Sequence, residues 1–156
     1  MRKNVLMGVA VAGIALTGLG LAARSGAAPQ APAAAPDKHH AMYAPCAKTC
    51  ADCMVECGTT AHHCAEMVEA GKKEHLKPMQ LAAACAEFCS LAAKQTACHS
   101  DLAPAACEAC AKACDVCAAA CAKFADMPEM KACVESCKKC AASCREMAKM
   151  GGHDKH

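Results

Sequence analysis

Residues 107–121 read CEACAKACDVCAAAC, five cysteines separated by only two or three other residues. The same spacing governs Cys46, Cys50, Cys53 and Cys57, written CxxxCxxCxxxC, and again Cys133, Cys137, Cys140 and Cys144. At roughly 100° per residue, steps of four, three and four return a side chain to one face of a helix within about 60°. The residues between them, mostly Ala, Lys and Glu, are strong helix formers. The pattern is a coiled-coil seam with thiols where Leu would ordinarily stand. Cys64 continues the first seam seven residues after Cys57, and Cys85 and Cys89 place an i, i+4 pair on a further segment.

What this part of the chain lacks is equally constraining. From Met42 onward there is no Ile or Trp, the Leu are limited to Leu76, Leu81, Leu91 and Leu102, and the Val to Val55, Val68, Val116 and Val134. A domain ordinarily stabilises itself by burying such side chains, at about 1.5–3 kcal/mol each. Here Cys, Ala and Met must fill the core, so something besides hydrocarbon has to supply cohesion. Punctuation divides the segment into four helices. The first runs from about Pro45 to Ala70 and is stopped by Gly71, with Gly58 inside it. The second starts near Pro78 and ends near His99, and the third opens at Ser100-Asp101 with Pro104 in its first turn and runs to about Ala125. The fourth opens at Asp126, with Pro128 and Glu129 in its first turn, and runs to about Met150. Connections this short make consecutive helices antiparallel. The expectation is an all-α fold, an antiparallel up-down-up-down four-helix bundle with a cysteine-lined core over residues 42–150.

Upstream lies a segment of another kind. Arg2 and Lys3 precede an apolar run from Val5 to Ala23, with small residues at a cleavage site near Ala27. This is the plan of a secretory signal peptide over residues 1–27; retained, the run approaches the roughly 18 residues of a membrane anchor. Arg2-Lys3 is not the Arg-Arg pair of a twin-arginine signal. PQAPAAAPDKHH then reads as part of a Pro/Ala-rich linker over 28–41, and 151–156 as a flexible tail. Without Arg2, Lys3 and Arg24 the formal charge falls from +2 to −1, and Tyr43, Phe88 and Phe124 are the only aromatic residues. Nucleic-acid binding would lack both its basic face and its stacking platform. His39, His40, His153 and His156 fall in the linker and tail, where a solvated role is the simpler reading.

Five chemistries compete for the thiols. A single buried cysteine is usually a small hydrophobe, but 17 of them, nearly all in seam register, make a narrow and weak apolar core. Disulfides suit an exported chain, yet the count is odd and many pairings would compete. The pairs Cys50/Cys53, Cys107/Cys110, Cys114/Cys117 and Cys137/Cys140 have CxxC spacing but sit in mid-helix, away from the strand–turn–helix context of a redox motif. Zinc wants closed groups of four, and a continuous ladder on one helix offers no natural grouping into fours. Copper(I) fits the ladder best. It is soft, prefers thiolate and thioether and accepts two or three ligands, so a sulfur can bridge one ion to the next. With every ion on two thiolates and every thiolate on two ions, loading approaches one copper per buried cysteine. The ions would also provide the missing cohesion.

The CxxxCxxCxxxC runs on four alanine-rich helices behind an export signal resemble the bacterial copper storage proteins, over about residues 42–150. CAAACAKFADMPEMKAC and CKKCAASCREMAK are similar to the last two helices of exported members. The resemblance implies a non-enzymatic protein of the bacterial periplasm that stores many Cu(I) ions, a homo-oligomer (a tetramer in the family), and exchange with copper donor or acceptor proteins. It also implies a His/Met-lined end through which copper passes. His63 and Met67, from HHCAEM, and Met79, Met127 and Met130 are the candidates at that end, because both odd-numbered loops lie there. All seventeen cysteines are candidate ligands, including Cys98, which stands two residues past a seam position. His62 points away from that face. Thr60 stands where the spacing would allow another thiol, and beyond Cys89 the seam continues as Ala92 and Thr96. The alternatives are a zinc-binding, metallothionein-like detoxification protein and a disulfide-stapled interaction module.

Overall fold

The computed structural model describes residues 38–150; the expected signal peptide, residues 28–37 of the expected linker, and the tail with His153 and His156 lie outside the described residues. Four α-helices follow in order: α1 (Lys38–Glu69), α2 (Leu76–Ala97), α3 (Ala103–Cys121) and α4 (Pro128–Met150). Short 3-10 turns at Lys73–His75 and Ala122–Phe124 serve the α1/α2 and α3/α4 connections. α1 begins seven residues before the expected Pro45, which lies inside it. Pro45 is exposed, so water can serve the carbonyl that its missing N–H leaves without a helical donor. Gly58 does not break the helix either. It is exposed, and a Cβ there would meet nothing within 4 Å.

Both α1 and α2 end in Schellman motifs. The Gly71 N–H donates to Val68 O and Lys72 N–H to Met67 O, both at 2.9 Å, with Gly71 at φ +87°. At the end of α2, His99 N–H donates to Thr96 O at 3.1 Å and Ser100 N–H to Gln95 O at 3.0 Å. Here His99 takes the left-handed position at φ 52°, one that usually falls to Gly or Asn. Its ring stacks on Tyr43 of α1, centroids 4.4 Å apart and planes within 13°. That stacking offsets part of the backbone cost and ties α2 to the start of α1. The α1/α2 and α3/α4 connections lie at one end of the bundle, called here the Gly71 end; the α2/α3 connection marks the His99 end.

Each helix packs on two neighbours, α1 on α2 and α4, and α3 on α2 and α4, while the diagonal pairs make no backbone-level contact. Across the axis the bundle is filled by sulfur: Cys46 on α1 meets Cys107 on α3 at 3.9 Å, and Cys53 meets Cys114 at 4.0 Å. Sixteen cysteines are buried, interleaved with Ala82, Ala92, Ala111 and Ala141. Met130 and Met147, both fully buried, continue the α4 seam three residues before Cys133 and three after Cys144. They stand at its two ends. Among the described residues the ion pairs lie at the surface, as in Lys48–Asp52 at 2.8 Å and the Arg145–Asp115 pair between α4 and α3.

Gly58→Ala should raise the unfolding free energy of the reduced apo-protein by about 0.5–1 kcal/mol, since the site is helical, exposed and sterically open. Urea denaturation under argon measures it; an unchanged or lowered midpoint would show that α1 needs Gly58 for a reason other than its length.

Candidate metal centre

Thiols from different helices come together along the axis in five groups whose sulfurs lie within 4.8 Å of one another. From the His99 end they are Cys46–Cys107–Cys144, then Cys50–Cys110–Cys140–Cys144, then Cys53–Cys89–Cys114–Cys140. Next come Cys85–Cys114–Cys137 and Cys57–Cys117–Cys133–Cys137. The expectation that the ladder offers no grouping into fours is corrected here: three groups hold four thiols. A ladder on one helix cannot make a four, but α1, α3 and α4 each bring a seam to the same axis. The groups are also not independent. Cys144, Cys140, Cys114 and Cys137 each belong to two successive groups, so one shared sulfur links every group to the next.

Individual separations run from 3.3 Å for Cys50–Cys144 through 3.6 Å for Cys57–Cys137 and Cys110–Cys89 to 4.0 Å for Cys85–Cys89. These are contacts between free thiols, far beyond the roughly 2.05 Å of a disulfide. Packing sulfurs so closely couples their protons. The Cys53 thiol is held low by its sulfur hydrogen bonds with Cys114, Cys137, Cys140 and Cys57. The Cys137 thiol is held high by Cys114, Cys117, Cys133 and Cys53. Ionising one sulfur therefore makes its neighbours keep their protons, and charge cannot spread through the apo-core. Metal cations remove that limit, because each neutralises the thiolates it joins.

Two threonines occupy seam positions. Thr96 is fully buried, donates to Ala92 O at 2.6 Å and touches Cys107 Sγ at 3.5 Å. Thr60, also fully buried, leaves its Oγ1 without a partner. Beyond the last thiol group at the Gly71 end, Cys121 is buried beside Cys117 and Cys133, and Cys64 donates to the Met130 thioether at 3.6 Å. His63 is half-buried with its Nε2 unpartnered; Met67, Met79 and Met127 are half-buried, the last two packed against the core. His62 is exposed and lies 3.6 Å from Glu66. Cys98 stands apart from the other sixteen. It is exposed at the end of α2, its thiol directed back to Lys94 O at 2.7 Å.

His75 was invisible in the sequence, because a single His in KKEHLKP has no spacing to mark it. In the structure it is 3% exposed, tilted against Phe124 with ring centroids 4.3 Å apart, and its Nδ1 has no partner. Thr60, His63 and His75 supply every unpartnered buried side-chain N or O atom among the described residues, and all three sit toward the Gly71 end. A buried polar atom left unpaired costs about 1–3 kcal/mol, so these three side chains set the Gly71 end apart from the rest of the core.

Two predictions follow from the linkage and from the protons. Cys140→Ser, which interrupts two four-sulfur groups, should lower copper capacity more than Cys46→Ser, and Cys98→Ser should leave capacity unchanged; anaerobic Cu(I) titration of each variant checks the order. Burial, with the Cys133 and Cys117 sulfurs adding to it, raises the Cys64 thiol. A raised thiol contributes stability that is intact below the ordinary thiol range and lost as pH rises through it. Between about pH 8 and 10, reduced apo Cys64→Ser should therefore lose less stability than the parent. Copper affinity should run the opposite way and tighten as pH rises, since binding releases protons.

A sequence profile of the family described as "Csp: Copper storage protein" matches residues 38–149. Among solved structures, the Nmul_A1745 protein from Nitrosospira multiformis is 30% identical, with a TM-score of 0.62, covering 70% of this chain and 97% of its own. A second, described as copper loading to a cytosolic copper storage protein from Streptomyces lividans (five coppers), is 25% identical with a TM-score of 0.65. It covers 71% of this chain and 95% of its own. No curated protein matches. Among the described residues, no helix is long and apolar enough to cross a membrane. With a profile match over nearly the whole bundle and linked thiol groups along its axis, the chain belongs to the copper storage protein family, holding multiple Cu(I) ions on the cysteines of its core.

Proposed function

We propose that this chain is an exported, non-enzymatic Cu(I) reservoir, filled and emptied at the Gly71 end by way of His63, Met67, Met79, Met127 and Met130. The observation that carries the reading is the donor set at that end. Unpartnered buried polar atoms on Thr60, His63 and His75 share this end of the bundle with the Cys64–Met130 pair. Imidazole and thioether bind Cu(I) more loosely than thiolates do. An arriving ion therefore exchanges through weaker ligands before it reaches the bridging core. Cys64, then Cys121 and the Cys57–Cys117–Cys133–Cys137 group, are the first thiols inward from this end.

Shared sulfurs favour copper over zinc as the cargo. Because Cys140 belongs to two of the three fours, at most two closed four-thiol sites can be filled at once without sharing a ligand. Bridged Cu(I) uses the shared sulfurs instead of wasting them. Export rests on the signal-like segment before Ala27, since the Streptomyces neighbour is described as cytosolic. Assembly as a homo-oligomer, a tetramer, and exchange with copper donor or acceptor proteins complete the reading.

Anaerobic titration of the fully reduced protein with Cu(I), in competition with a chelator, should give tight uptake well above about four ions, approaching one per buried cysteine. Saturation near about four Zn(II) with weak copper uptake would overturn the storage reading. His63→Ala combined with Met67→Ala should slow loading while leaving capacity intact; lost capacity would make these residues core ligands rather than an entrance. N-terminal sequencing of the protein from a periplasmic fraction should find cleavage near Ala27, and an intact Met1 would overturn export by cleavage.

A further inference from the structure

α2 contributes only two buried thiols, Cys85 and Cys89, and the wall it forms with α3 is thin. A surface groove of about 350 Å³ runs along that wall, lined by Leu81, Ala84, Phe88, Ala109 and Ala113, with Cys85 contributing to its lining. A second hollow of about 460 Å³ lies beside it toward the Gly71 end and shares Leu81 and Val116, so the two form one trough. The trough exposes more apolar surface than a solvated helix pair needs: Phe88 is 41% and Val116 54% exposed. Its charged lining is mainly cationic, with Lys77 and Lys123 beside the single acid Glu74, and Lys112 further along, paired with Glu108.

Cys85 belongs both to this trough and to the core. Its Sγ lies 3.7 Å from Cys114 and 4.0 Å from Cys89, and it is one of the Cys85–Cys114–Cys137 group, the fourth of the five linked groups counted from the His99 end. Alanines at 84, 109 and 113 have no branch with which to cover it. Cys85 is itself buried, 1% exposed, so a copper ion in this group would be held by a residue of the groove lining beneath its surface.

We propose that this trough is a lateral exchange port for a carboxylate-bearing low-molecular-weight thiol. The ligand's thiol end lies on the apolar floor over Cys85, and its carboxylates meet the lysines along the trough. The volume suits a small molecule, and the lysine excess selects an anion. The step is a ligand substitution. The incoming sulfur bonds to Cu(I) as the bond from copper to Cys85 breaks, and the proton of the incoming thiol passes to the Cys85 sulfur. Copper stays Cu(I), no electron moves, and Cys114 and Cys137 hold the ion meanwhile. The port stands apart from the end entrance and does not depend on it.

Two measurements test it. The reduced Cys98→Ser apo-protein, treated with substoichiometric N-ethylmaleimide and mapped by peptide mass spectrometry, should label Cys85 first, about tenfold faster than Cys46 or Cys64 near the bundle ends. The copper-loaded full chain should lose Cu(I) to glutathione faster than to cysteamine, which carries a cation in place of carboxylates. High salt should erase that preference. Ala84→Phe, at an exposed position over the groove, should slow the transfer several-fold with copper capacity unchanged. Earlier labelling of Cys46 or Cys64 overturns the port. So does a transfer rate insensitive to Ala84→Phe but slowed by His63→Ala with Met67→Ala, which would leave the end as the exit. Protection of Cys85 at high protein concentration, lost on dilution, would assign the trough to a second copy of this chain and overturn it equally.

Discussion

The close packing of sulfur on sulfur along one axis is the constraint from which the rest of this structure follows. The diagonal helices α1 and α3 make no backbone-level contact and meet through thiols, at about the contact distance of two sulfur atoms. Such a core is dense enough to exclude water, but each side chain buries little hydrocarbon. It also cannot ionise freely, because every thiolate that forms makes its neighbours hold their protons. A core of this kind is complete only when cations neutralise it. Metal binding then supplies stability as well as cargo, so loading and folding stability are one linked quantity.

Sharing, more than the number of thiols, distinguishes this core from a row of separate metal sites. Cys144, Cys140, Cys114 and Cys137 each serve two groups, so no ion is more than one shared sulfur from the next group. An ion can move along the axis by exchanging one ligand at a time, never leaving sulfur. This is how a bundle only four helices wide can be both tight and emptied. The lateral trough over Cys85 touches this series at its fourth group, whereas the Gly71 end touches it at one terminus.

The two ends differ in kind. At the His99 end, Met147 is fully buried, Thr96 satisfies its hydroxyl on the helix backbone, and the Tyr43–His99 stack draws α2 to α1. That end is polar only where the polarity is paired. At the Gly71 end, which also holds the Cys64–Met130 contact, Thr60, His63 and His75 keep unpartnered atoms. A closed end and an end with spare ligands give the bundle a direction.

The sequence by itself determined the helices, the face each buries and the sulfur character of the core, because seam spacing and helix-forming alanines act locally along the chain. Met130 and Met147 could be read the same way, one step of three beyond the cysteines of α4. Helix starts were less legible. Pro45 reads as a first-turn residue, yet α1 begins at Lys38, since an exposed proline near a helix end removes one bond without ending the helix. Cys98 could not be judged from phase alone, because a Schellman turn redirects the backbone there. His75 carried no pattern at all. Only the tertiary structure decided which sulfurs from different helices share a group, that three groups hold four thiols, and that Cys85 borders a surface groove. Those facts depend on how four helices are rotated and staggered against one another, and spacing along one helix carries no record of its neighbours.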